Sequence, residues 1–120
     1  MSVQYHGQSA RLSEATVANG FVFLAGIVPE KTGVGINVTE QTRDVLAQID
    51  KWLAECGSDK EHILEATIFL VDLRDFDDMN KAWDEWVAPG HAPARACVQA
   101  QLANPSWDVE IKVSAVQIQK

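Results

Sequence analysis

Apolar residues recur along this chain with two different periods, and the places where the period changes mark its elements. Val38, Thr42, Val45, Leu46, Ile49, Trp52, Leu53 and Cys56 fall three or four apart, the spacing of one helix face. Asn37 and Glu40 have the spacing of an N-cap with a returning carboxylate, and Gly57 supplies a C-terminal stop. A second stripe, Phe76, Met79, Trp83, Trp86 and Val87, starts after Asp75 as its cap and ends at Pro89-Gly90. Its other side, with Asp77, Asp78, Asp84 and Glu85, reads as a solvated acidic face rather than a metal site.

Elsewhere the period is two. Residues 21–28 are β-branched and aromatic between Asn19-Gly20 and Pro29, which predicts a strand buried on both faces. Gly26 inside that run marks a bulge or a close approach of backbone or ligand. After one capped turn at Ser58-Asp59-Lys60-Glu61, residues 63–73 predict the central strand. In the last third Arg95, Cys97, Gln99 and Gln101 alternate with Ala96, Val98, Ala100 and Leu102. Asn104-Pro105-Ser106 turns the chain, and Val109, Ile111, Val113 and Ala115 then oppose Glu110, Lys112 and Ser114. Residues 3–19 predict a strand or short hairpin, and residues 31–36 a loop.

The order β, β, α, β, α, β, β predicts an α+β fold, a mixed sheet with both helices on one face, in a single domain over residues 1–120. The other face is expected to carry Arg95, Cys97 and Glu110 among neutral residues, which suits an interface or a pocket better than open water.

Charge narrows the partners. With 10 Lys and Arg against 17 Asp and Glu, the net charge is −7, which disfavours nucleic acid and anionic membrane surfaces. No run is long enough to span a bilayer and no leader pattern opens the chain, so a cytoplasmic location is expected. The two cysteines, Cys56 and Cys97, suggest a reduced setting with neither a disulfide framework nor a metal site.

Among residues that could carry chemistry, Arg95 offers a planar fork that grips a carboxylate and does not titrate. It reads equally well as part of a solvated face or a structural ion pair. Glu110 could act as a general base toward water, or share a solvated edge with Lys112. Cys97 lies on the same side as Arg95 but has no nearby histidine to activate it, since His6, His62 and His91 are dispersed. Asn80 reads as a structural residue that orients a loop by hydrogen bonding.

Taken together, several segments resemble the RidA (YjgF) family of imine and enamine deaminases. They are Gly26-Ile27-Val28-Pro29, Glu40-Gln41-Thr42, Ala66-Thr67-Ile68-Phe69-Leu70, Asp75-Phe76 with Met79-Asn80, Pro93-Ala94-Arg95 and Val109-Glu110-Ile111. The stretch from Ile63 to Pro93 is most similar to the YoaB-type branch. The resemblance implies a chorismate-mutase-like subunit of about six strands and two helices, trimerising through its open sheet face, with clefts between subunits. It implies hydrolysis of 2-imino acids to 2-keto acids and ammonia without a cofactor or metal. Arg95 and Glu110 match its catalytic pair, Arg95 also holding the substrate carboxylate, and Cys97, Gly26 and Ala25 match its substrate-binding positions. Ala25 stands where many active members have serine, and Leu12 where they have tyrosine. A non-catalytic keto-acid binding or sensing protein is therefore the alternative, and the acidic balance argues against the ribonuclease activity attached to parts of the family.

Overall fold

The computed structural model describes residues 2–119. The N-terminal segment forms a hairpin, β1 (Gln4–His6) antiparallel to β2 (Ala15–Ala18), and Asn19-Gly20 returns the chain into β3 (Phe21–Leu24). Both turn residues have positive φ, 53° and 81°, the geometry whose twist matches the flanking strands. Helix α1 spans Val38–Glu55, and the Asn37 side chain accepts from the Glu40 N–H at 3.0 Å. A single 3₁₀ turn capped by Asp59 leads into β4 (Ile63–Leu70). Helix α2 (Phe76–Trp86), β5 (Ala94–Gln99) and β6 (Val109–Val116) follow.

The six strands form one sheet in the order β1-β2-β3-β6-β4-β5. Every pairing is antiparallel except β4 with β5, which α2 joins as a crossover. Val22, Leu24, Ile68, Leu70, Val109 and Ile111 lie on the covered face and form one contiguous core with Leu46, Ile49, Leu53 and Met79. No helix among the described residues is long and apolar enough to cross a membrane.

Several expectations change. The apolar run at residues 21–28 is not a strand buried on both faces: β3 ends at Leu24, and Phe21 and Phe23 are 43% and 47% exposed. Helices cover only one side of the sheet, so alternate residues of even this apolar run remain outside. Asp75 takes the N-cap position of α2 but its side chain makes no capping hydrogen bond, because it also ends a 3₁₀ turn (Leu73–Asp75) capped by Asp72. The largest correction concerns β5. Arg95 and Cys97 pair in parallel register with Ala66 and Ile68, two residues buried under the helices. Residues aligned in this way point to the same side, so Arg95 and Cys97 face the helix layer and only Glu110 of the three faces the open side.

Candidate functional site

A cleft of about 380 Å³ opens where β3 ends, lined by Leu12, Ala25, Gly26, Trp107 and Glu110 among others. Its floor is backbone. Beyond Leu24 the chain leaves the regular ladder, but Ile27 and Ile111 exchange hydrogen bonds at 2.9 and 3.0 Å. That bridge sets Gly26 against the adjacent Glu110 side chain, since a Cβ on Gly26 would lie 2.9 Å from Glu110 Cδ. Gly26 thus marks a close approach, made by a carboxylate rather than by backbone.

Two buried or half-buried amides of α1 hold the walls. Gln41 donates to the Ser106 carbonyl at 3.1 Å and accepts from the Asp108 N–H at 2.8 Å, bracketing Trp107 at the entry to β6. Gln48 donates to the Val28 carbonyl at 2.9 Å and to Asp44, whose other carboxylate oxygen accepts the Glu30 and Lys31 N–H groups at 2.8 Å each. Lys112, also on the open face, donates to the Leu24 carbonyl beside the cleft.

A second cluster lies across the sheet. Arg95 Nη1 donates to Asn80 Oδ1 at 2.8 Å, and its guanidinium sits 5.1 Å from the Trp83 ring centroid and 5.9 Å from that of Phe76. Both rings are close enough for cation–π attraction. Cys97 flanks it; burial pushes its thiol up, with Arg95 opposing, so the group stays a neutral thiol at physiological pH.

The two clusters cannot meet within one chain. Arg95 aligns with Ala66 and thence with Val113, whereas Glu110 aligns with Phe69 and thence with Val98. They are separated by two strand spacings, roughly 10 Å, by three residues along the strands, roughly another 10 Å, and by the sheet itself.

The model of the family described as endoribonuclease L-PSP matches residues 6–117. A RutC family protein of Haemophilus influenzae is 50% identical over 115 residues, which is 96% of this chain and 98% of that protein. The chain belongs to the YjgF/RidA family. RutC family protein YoaB of Escherichia coli is 51% identical over 106 residues, covering 88% of this chain and 90% of its own. The crystal structure of NMB1025, a YjgF family member from Neisseria meningitidis, superposes with a TM-score of 0.96 at 57% identity, covering 100% of this chain and 98% of that one.

In this YjgF/RidA chain, Ala25, Gly26 and Glu110 share one cleft while Arg95 and Cys97 stand apart from it. Leu12 lines the same cleft, so an aliphatic side chain occupies the position matched to tyrosine. Asn80 is bonded to Arg95 rather than to a loop. The signal was available: Phe76, Asn80 and Trp83 are spaced i, i+4 and i+7 on one helix face. Trp107 carried no signal, being a lone aromatic in a turn.

Proposed function

We propose that this protein hydrolyses reactive 2-imino acids, formed from their enamine tautomers, to 2-keto acids and ammonia in clefts between copies of the chain. The observation that carries this reading is the separation of its two charged groups. A guanidinium with no carboxylate partner among the described residues and a carboxylate in a cleft lie on opposite sides of one sheet, an arrangement completed when a second copy brings its Arg95 to the Glu110 cleft. The half-exposed Phe21, Phe23 and Val98 on the open face give such an assembly apolar surface to bury, consistent with a homotrimer.

In this mechanism Arg95 grips the substrate carboxylate with two N–H groups and fixes the imine carbon. Glu110 orients a water, takes one of its protons as the oxygen attacks that carbon, and returns a proton to the nitrogen. Collapse of the carbinolamine releases ammonia and leaves the keto acid. Every step uses side chains and water alone.

Generating imino acids in situ with an amino-acid oxidase and timing keto-acid release tests the reading. Glu110→Gln should slow release roughly 10²- to 10⁴-fold while leaving keto-acid binding largely intact. Release at the parent rate would remove Glu110 from the mechanism. Leu12 and Trp107 beside three carboxylates, Glu14, Glu30 and Glu110, suit a neutral apolar substrate side chain. Imino acids of that kind should therefore be turned over at least about tenfold faster than those bearing a second carboxylate, whose like charge is repelled. The Leu12 and Ala25 positions, which lack hydroxyls, favour one second reading, keto-acid binding without turnover, which calorimetry paired with the same assay separates from the first. A ribonuclease reading gains nothing from this cleft, whose lining among the described residues holds no Lys, Arg or His.

A further inference from the structure

Helix α2 meets Arg95 with Phe76, Asn80 and Trp83, although the rest of its surface is acidic. It carries Asp77, Asp78, Asp84 and Glu85, of which Asp78 pairs with Lys81 at 2.9 Å and Glu85 with Arg43 at 3.1 Å. Yet among the described residues no carboxylate lies within 4.0 Å of Arg95. The acceptor that the helix presents to it is the amide of Asn80, at 2.8 Å, flanked one turn either way by the Phe76 and Trp83 rings. An acid at this one position would hold the guanidinium at least as firmly, and would cancel its charge.

We propose that Asn80 is a positioning residue whose neutrality is its function: it aims the Arg95 fork while leaving the positive charge whole for a ligand carboxylate. The inference rests on the anion-binding part of the proposed function. Asn80 occupies one of five guanidinium N–H donors, and the two rings attract the cation through their faces without offering a competing anion. The remaining donors point away from the amide, in a fixed plane, as bidentate capture of a carboxylate requires.

The test uses the full chain and 2-oxobutanoate as the probe, read by calorimetry, with KM and kcat measured alongside. Asn80→Ala frees the arm and should weaken binding about tenfold, whereas Asn80→Asp keeps the hydrogen bond yet should weaken it about a hundredfold, mainly in KM. A purely structural role predicts the reverse order, because the acid is the closer isostere. Asn80→Asp binding as tightly as the parent, or more tightly than Asn80→Ala, overturns the inference. Should the acidic variant fail to fold, Asn80→Ser, a neutral acceptor, must bind more tightly than Asn80→Ala; equality of those two overturns it as well. Loss of binding in Arg95→Ala with full binding in Asn80→Asp removes this inference alone. Absence of binding by the parent protein removes the anion site itself, and the inference with it.

Discussion

Arg95→Ala protein and Glu110→Gln protein, each nearly inactive alone, are expected to regain about a quarter of the parent activity when unfolded together in equal amounts and reassembled. The expectation follows from the register of the sheet. Arg95 faces the helix layer from edge strand β5 and Glu110 faces the open side from interior strand β6, so in the proposed function each site draws the two groups from different copies. Random assortment gives a site its intact arginine half the time and its intact glutamate half the time. Each single variant alone should lie far below that recovery, because loss of a bidentate carboxylate contact removes two charge-assisted hydrogen bonds, roughly 10²- to 10⁴-fold in binding and rate. Native mass spectrometry can establish that mixed assemblies form. If they do and hydrolysis stays at the parental floor, the site is not shared between copies in this way.

Gly26→Ala is expected to cost on the order of a hundredfold in kcat/KM while the melting temperature barely moves. Gly26 is not among the glycines with positive φ, so alanine can adopt its backbone conformation. A glycine-to-alanine change at such a position tends to stabilise slightly through the unfolded chain. The new methyl would, however, stand 2.9 Å from Glu110 Cδ, and the carboxylate is the end of a flexible side chain that can swing away. A displacement of about 1 Å in a catalytic group is enough for a hundredfold loss. Because both changes act through one carboxylate, Gly26→Ala added to Glu110→Gln should cause little further loss. Full activity in Gly26→Ala would mean that the position of Glu110 is immaterial to the reaction.

Local order in the sequence went a long way. The three-and-four spacing from Val38 to Cys56 and the Asn37 cap each produce what their side chains favour in isolation, and the structure has them. Where a neighbour decides, the reading faltered. Asp75 has the right chemistry for a cap, but Asp72 starts a 3₁₀ turn first. Residues 21–28 are apolar enough for a doubly buried strand, but helices cover one face only, leaving Phe21 and Phe23 at the surface.

By itself, then, the chain determined its helices, most of its strands, and the residue types able to grip a carboxylate and activate water. These depend on dihedral preference and on periodicity along a few adjacent residues. Only the tertiary structure decided which way β5 faces, that Asn80 rather than an acid holds Arg95, and that Gly26 is packed against Glu110. Alternation with a period of two names two faces without saying which is covered. On an edge strand such as β5, with most residues exposed, burial leaves no imprint in the sequence from which to choose. The choice is made by register with β4 and by the crossover of α2, interactions between segments far apart in the chain.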